Sequence, residues 1–465
     1  MNHSSHNPIK ILIVGAGFAG LRLARKLNNQ PGFEVMLIDK FNYHQFQPLF
    51  YQVATAALDP SNISFPLRKA FHKSKNVRIR VEEVKQVMLA ENKIITDSEE
   101  IFYDYLVLAL GADTNFFGNQ NITANAYPMK STVEALQLRH RLIQNFEDAL
   151  RVKDASQFEK LMNFVIVGGG PTGVELAGAL AEMKKYVLPK DYPELDFSKM
   201  NIFLLEGGPR TLAAMSEQSS EDSSVYLSKL GVIIKKNTVV KDFDGEIVQL
   251  ADGSTIASNT VIWAAGVRGN VPPGIDPSLV VRGNRIKVDR HNKMEGTENV
   301  FILGDLAYME SPLWPKGHPQ VANVAINQAD VLAKNLVLME KKSDRRYEFE
   351  YYDKGTMATV GRNLAVVDIP KPKMHFRGLI AWFIWMGLHL FLILGVKNRV
   401  LVFINWIYSY FTYDQSLRLI FKEFYRPGKN EKMQTTQQRS MNQSQPPSSN
   451  GGNDAEMKQP ANSNR

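Results

Sequence analysis

The feature that most limits what this chain can fold into is a pattern that occurs twice. Residues 11–20, ILIVGAGFAG, run an apolar strand straight into Gly15-x-Gly17-x-x-Gly20 and on into the helical pattern of residues 21–27. Residues 163–167 form a second apolar strand, followed by Gly168-x-Gly170-x-x-Gly173 and a helical pattern over 174–183. In such a unit the first glycine allows a tight turn, the second lets the backbone approach a pyrophosphate, and the third lets helix and strand pack closely. The helix N-terminus then offers its N–H groups and its positive dipole end to the phosphate charge.

Each unit is followed by a strand that ends on an acid. Residues 34–38 lead to Asp39, about twenty residues past the glycines, where a carboxylate accepts a ribose 2′-hydroxyl. In the second unit an insertion at 184–200 delays the strand, and residues 202–205 lead to Glu206. A carboxylate there suits the free 2′-hydroxyl of NAD and repels the 2′-phosphate of NADP. Two adenine dinucleotides on one chain imply a flavin and a nicotinamide, and therefore a flavoprotein oxidoreductase. The expected fold class is α/β, with two Rossmann-like dinucleotide-binding domains.

The 465 residues are enough for two or three domains with substantial cores. There is no cysteine, which removes disulfide frameworks, thiolate metal sites, iron–sulfur clusters and electron transfer through a cysteine pair. No metal and no nucleic-acid partner is expected. The formal net charge of +8 is unevenly placed: residues 371–432 hold ten Lys and Arg against three acids, a net of +7. An anionic partner is to be sought there. The N-terminus, MNHSSHNPIK, has no apolar signal region, so the cofactor domains are expected to fold in the cytoplasm.

Along the chain, residues 41–60 are rich in aromatics and amides without periodicity, as in a loop that walls a flavin ring; ordinary loop packing is the alternative. Residues 77–87 read as strand, and 105–110 as a buried parallel strand meeting Gly111 and Asp113, where an open α/β sheet puts its ligand. Residues 131–151 have helical periodicity and lead into the second glycine motif, so the two nucleotide units are nested. Residues 260–266, TVIWAAG, repeat the strand-then-glycine pattern, and residues 300–303 end in Gly304-Asp305, an acid placed for a flavin ribityl or phosphate. Residues 321–338 form a helix whose N-terminus would stabilise the anionic reduced flavin ring.

The last third differs. Residues 378–396, GLIAWFIWMGLHLFLILGV, carry no formal charge and are long enough in principle to cross a bilayer before Lys397 and Arg399 interrupt. Residues 400–413 are too few for a second span, and Asn405, Ser409 and Thr412 fall on one polar stripe. This pattern predicts amphipathic helices lying in the membrane interface, with basic flanks favouring anionic lipid. A core or dimer-interface helix and a single true span are the alternatives. From 428 onward the composition turns to Gln, Asn, Ser, Gly and Pro, as in a disordered tail.

On ILIVGAGFAG, FQPLFYQVATAALDP, LGADTNFFG, VIVGGGPTGVELAGAL, VFILGDLA and the aromatic ending AWFIWMGLHLFLILGVKNRVLVFINWIYSYFTYD, the chain resembles the type II NADH:quinone oxidoreductases over roughly residues 8–426. The glycine motifs are shared with other two-dinucleotide flavoproteins; the aromatic ending is more specific. The resemblance implies noncovalent FAD, NADH as donor, a membrane quinone as acceptor, no proton pumping, a homodimer, and C-terminal helices that hold the protein on the cytoplasmic face of the cell inner membrane. It also implies a glutamate near the flavin, matched by Glu175, and a quinone-site motif Ala-Gln-x-Ala-x-Gln. Here that stretch reads Ala322-Asn323-Val324-Ala325-Ile326-Asn327, with the shorter asparagine at both glutamine positions and Gln328 one residue later.

The domains expected are 1–120 and 298–345 for FAD, 121–297 for NADH, 346–427 for membrane association and dimerisation, and 428–465 as polar tail. Glu175, Asn323 and Asn327 are the candidate catalytic residues. Cofactor contacts are assigned to Gly15, Gly17, Phe18, Ala19, Gly20, Asp39, Lys40, Gln47, Ala109, Gly111, Gly168, Gly170, Pro171, Thr172, Gly173, Glu206, Gly266, Gly304, Asp305 and Ala322. The rival readings are a soluble NADH oxidase or ferredoxin reductase, and a slowly turning NADH-sensing flavoprotein.

Overall fold

A computed structural model describes residues 7–415 and 417–421. Strand β1 (Ile9–Val14) feeds helix α1 (Phe18–Leu27), and β2 (Phe33–Asp39), β3 (Val77–Val81) and β4 (Tyr105–Leu108) follow, with the short helix α2 (Phe50–Ala54) between β2 and β3. The apolar runs become parallel strands because both faces of this sheet are covered. Ile11 is opposite Val35 on one side and Tyr105 on the other. The predicted strand over 77–87 is two strands, broken after Val81.

The chain leaves through β5 (Ala112–Thr114) and helix α3 (Thr132–Ala149), whose first turn is closed by a reciprocal Ser131–Glu134 capping box. The second unit follows as β6 (Asn163–Val167), α4 (Pro171–Tyr186), β7 (Asn201–Leu205), α5 (Glu217–Lys229), β8 (Ile233–Lys235) and β9 (Thr260–Trp263). Its parallel sheet has the order β8-β7-β6-β9. The chain then returns by β10 (Val267–Gly269), which pairs antiparallel with β5. Strand β11 (Val300–Ile302) completes the first sheet in the order β11-β4-β1-β2-β3, and α6 (Ala322–Glu340) packs against α1. The nesting inferred from the second motif is thus present: one nucleotide unit is inserted into the other.

A three-stranded antiparallel sheet, β12 (Thr356–Gly361), β13 (Leu364–Pro370) and β14 (Lys373–Arg377), comes next, followed by α7 (Gly378–Leu392) and α8 (Val396–Thr412). No helix among the described residues is long and apolar enough to cross a membrane. The break between the last two helices falls at Gly395, with φ +88, and not at Lys397 and Arg399, which lie inside the first turn of α8. The backbone turn decides the break; Lys397 is exposed, and the half-buried Arg399 donates back to the Ile393 carbonyl at 2.8 Å, so neither cation disrupts the helix.

The two helices are amphipathic in an inverted sense. Ala381, Trp385 and His389 point inward from α7 and Val402 from α8, while Ile380, Phe383, Phe391, Ile404, Ile407 and Phe411 face outward. Trp385, Ile393 and Val402 belong to the same apolar core as Ile166 and Val174 of the second unit and Ala358 and Val366 of the antiparallel sheet. Of the polar stripe read along α8, Asn405 and Ser409 are half-buried and only Thr412 is exposed. The helix turns that stripe largely toward the protein and its apolar face out. The tail expected to be disordered lies outside the described residues.

Candidate active site

The two glycine turns are built alike. Gly15 has φ +100, and a Cβ on Gly20 would lie 1.8 Å from the Gly15 carbonyl oxygen, so α1 can approach β1 only with glycine there. In the second turn the corresponding distance, Gly173 to the Gly168 oxygen, is 1.9 Å. Gly17 and Gly170 differ from these: a Cβ on either would meet nothing within 4 Å. Those two positions face open space at the N-termini of α1 and α4, neither of which has a side-chain cap. Uncapped N–H groups beside an open cradle fit a pyrophosphate at each turn. Pro171 and Thr172, exposed on the first turn of α4, border the second cradle.

The two strand-end acids hold these turns. Asp39 accepts the Ala16 N–H at 2.6 Å and the Phe41 N–H at 2.8 Å. Burial raises its pKa, and those two hydrogen bonds oppose the shift. Glu206 accepts the N–H groups of Gly169 and Gly208, each at 2.6 Å. Both carboxylates therefore sit at the mouth of a glycine turn, where a ribose would meet their remaining lone pairs. Lys40 and Gln47 are exposed nearby, with the Lys40 ammonium 5.4 Å from the Phe41 ring centroid.

A third convergence lies between the first sheet and α6. A Cβ on Gly304 would be 3.2 Å from the Ala325 Cβ and 3.6 Å from that of Ala19, so β11, α1 and α6 meet at this point. The Gly304 N–H donates to Gln328 Oε1 at 2.7 Å, which commits the one glutamine of the 322–328 stretch to the backbone. Asp305 is largely enclosed; burial raises its pKa, while Lys130 and Arg285 pull it down. Helix α6 begins at Ala322 with no side-chain cap and no acid in its first turn, leaving donors for a flavin carbonyl. Phe18 packs edge-on against His44 and Phe46, Ala109 is buried against the Gly15 turn, and Gly111 and Gly266 mark where β4 and β9 give way to the β5–β10 pair.

Glu175 lies on α4 at 9 % exposure. Burial pushes its carboxyl up to about 8, and the Thr359 N–H and the Trp385 indole act weakly against that. It lines a cavity of about 110 Å³ between α4, α2, the β12–β13 turn and the last two helices. Asn323 and Asn327 lie elsewhere: both are half-buried on α6, do not line this cavity and hydrogen-bond to no other described residue through their side chains. Sequence reasoning missed the rest of the cavity wall. Trp406 Nε1 donates to Gln52 Oε1 at 2.8 Å and Gln52 Nε2 donates to the Tyr51 hydroxyl at 2.8 Å, linking α8 to the surroundings of Glu175. Tyr51 and Gln52 fall in the aromatic, amide-rich loop that had been expected to wall the flavin, which was the available signal.

Two nested parallel sheets, each with a glycine turn, an open phosphate cradle and an acid at the ribose position, define a two-dinucleotide flavoprotein oxidoreductase. Residues 9–329 match the family described as pyridine nucleotide-disulphide oxidoreductase, and residues 353–413 match the NDH2 C-terminal domain. The chain belongs to the type II NADH:quinone oxidoreductases. It is 34 % identical over 419 residues to the type II NADH:quinone oxidoreductase Ndh of Mycobacterium tuberculosis, covering 86 % of this chain and 88 % of that one. The Haemophilus influenzae type II NADH:quinone oxidoreductase is 29 % identical, covering 82 % and 92 %. The solved structure of NDH2 from Plasmodium falciparum in complex with NADH superimposes with a TM-score of 0.81 at 20 % identity, over 90 % of this chain and all of that one. With no cysteine, this chain lacks the disulfide of the wider family's name.

Proposed function

We propose that the protein oxidises NADH and reduces a membrane quinone to quinol without pumping protons. The observation that carries this reading is the buried Glu175 carboxyl in a cavity walled by the last two helices, in a chain with two dinucleotide cradles. Gly17, Asp39, Asp305 and the α6 N-terminus would hold FAD, and Gly170 and Glu206 would hold NADH. The chemistry a bound FAD would supply is that of a two-electron carrier between the nicotinamide and the quinone. The chain's own work is to align the two cofactors, exclude water and supply a proton. Glu175 is mostly protonated at neutral pH and is placed to give that proton as quinone oxygens gain charge. Asn323 and Asn327, whose side chains hydrogen-bond to no other described residue, are the amides this reading offers to the quinone.

The domain division follows: 1–120 with 298–345 for FAD, 121–297 for NADH and 346–427 for membrane attachment and a homodimer contact. The outward apolar face of α7 and α8 lies in anionic lipid on the cytoplasmic face of the membrane. Purified protein assayed with NADH and a panel of soluble quinones tests the reading. Quinone-dependent turnover with two-electron stoichiometry is the expected result; flavin bleaching by NADH without reoxidation by any quinone would favour the slow sensor instead.

A further inference from the structure

Helix α4 presents three residues to the cavity, Glu175, Ala179 and Glu182, at intervals of four and three, so they form one stripe with a carboxyl at each end. Glu175 is the buried end and Glu182, at intermediate exposure, the outer end. The Arg362 N–H donates to Glu182 Oε1 at 2.6 Å, and the Thr359 N–H donates to Glu175 Oε1 at 3.4 Å. Seven residues of helix set the two Cα atoms about 10.5 Å apart along the axis. The cavity volume of about 110 Å³ has room for several waters, since one water needs about 10–15 Å³ on that measure. Three waters in file, with contacts of about 2.8 Å, span about 11 Å, enough to cover a separation of the order of that rise.

The wall opposite supplies an unspent donor. Trp385 is 2 % exposed, and its indole Nε1 lies near enough to Glu175 to favour the charged carboxylate but makes no well-formed hydrogen bond to any described residue. A buried N–H left so in a polar cavity is stabilised by water. The titratable groups facing this space are Tyr51 from α2, Glu175 and Glu182 from α4, Arg362 from the β12–β13 turn and Tyr410 from α8. Arg362 is occupied, donating to the Ser409 carbonyl at 2.6 Å and lying 3.4 Å from the Tyr413 ring centroid.

We propose that Glu182 is the outer relay of a proton path, taking protons from solvent and passing them through cavity water to Glu175. This rests on the quinone-reducing reading above. The balance requires such a supply. Hydride carries two electrons and one proton from NADH, quinol formation takes two electrons and two protons, and so one further proton enters per turnover. Glu175 gives that proton to the acceptor and is reprotonated along the path, while Glu182 is reprotonated from bulk water.

The test uses the full-length, FAD-loaded enzyme in vesicles, as parent, Glu182→Gln and Glu182→Asp. Anaerobic flavin bleaching by NADH, turnover with ferricyanide, which takes up no proton, and quinone turnover against pH in H₂O and D₂O are measured together. In Glu182→Gln, quinone turnover is expected to fall about tenfold or more with a larger solvent isotope effect, and bleaching and ferricyanide turnover to change far less. Glu182→Asp and added formate are expected to recover part of the loss. Unchanged quinone turnover and isotope effect in Glu182→Gln would overturn the path. So would a loss that neither aspartate nor formate repairs, since that is the signature of the Arg362 backbone tether alone. A parent enzyme that turns over with ferricyanide but with no quinone would instead remove the reading beneath it.

Discussion

Glu175 is an acid whose proton the fold holds, and this has a cost in stability as well as a use. Its pKa rises from 4.5 to about 8, chiefly by burial. Between those values the unfolded chain has released the proton and the folded one has not, so this residue lowers stability progressively as pH rises from 4.5 to 8, by on the order of 5 kcal/mol in full. Glu175→Gln removes the ionisable group and keeps the shape. We expect it to raise the melting temperature relative to the parent by several degrees at pH 9 and by little at pH 5, while quinone turnover falls about a hundredfold. Thermal melts at the two pH values check the first part; an equal shift at both would mean the carboxyl is not held protonated. Glu206 offers a contrast, since both its oxygens are engaged by backbone N–H groups at 2.6 Å. Glu206→Arg is expected to lower kcat/KM for NADH by about tenfold or more and to improve NADPH use by less, because it loosens the turn while it admits the 2′-phosphate. An unchanged ratio of the two kcat/KM values would show the acid to be remote from the ribose.

At the scale of elements, the paired strand–glycine–helix units were legible in full, because each is a local device: the glycines that make the turn and the acid that ties it lie within one short stretch of chain. Asp39 and Glu206 stand at those turns as the spacing required. The cavity around Glu175 was not legible, since it joins Tyr51, Glu175, Thr359, Trp385 and Trp406 from five segments that no periodicity connects. The last two helices show the same limit. Their apolar length was plain, but which side of each turned to the protein depended on the antiparallel sheet and α4 beneath them. Because Trp385, Ile393 and Val402 sit in the main core, deletion from residue 378 removes core as well as anchor. That deletion is expected to cost several kcal/mol and to give aggregated protein. The triple substitution of outward-facing Phe383, Phe391 and Phe411 to serine is expected to release folded, flavin-bearing protein from vesicles. Flotation with flavin absorbance checks this; a triple variant still floating with vesicles would place the membrane contact elsewhere.

Across the whole molecule, the proposed function has electrons and protons entering from different sides. NADH would dock at the second parallel sheet, whereas the two carboxyls line the cavity beside α7 and α8. On that reading two forces would hold the protein to a membrane, the outward apolar side chains of α7 and α8 and the basic excess that the sequence carries over residues 371–432. Salt screens only the second. We therefore expect vesicle binding to be tighter on anionic than on neutral lipid at low salt, by about 1 kcal/mol for each basic residue near the surface, and to persist in part at high salt. The same division governs the pH response. Burial pushes the Glu175 carboxyl up to about 8, and below that pH it would carry the proton that the proposed function assigns to the quinone. Quinone turnover in vesicles should thus hold below pH 8 and fall about tenfold per unit above it, whereas ferricyanide turnover, which passes through the same NADH and flavin steps without proton uptake, should stay level. Parallel pH profiles with the two acceptors decide the matter. If both fall together, the group titrating near 8 serves NADH oxidation, and the membrane-side cavity is not where the acceptor's proton is supplied.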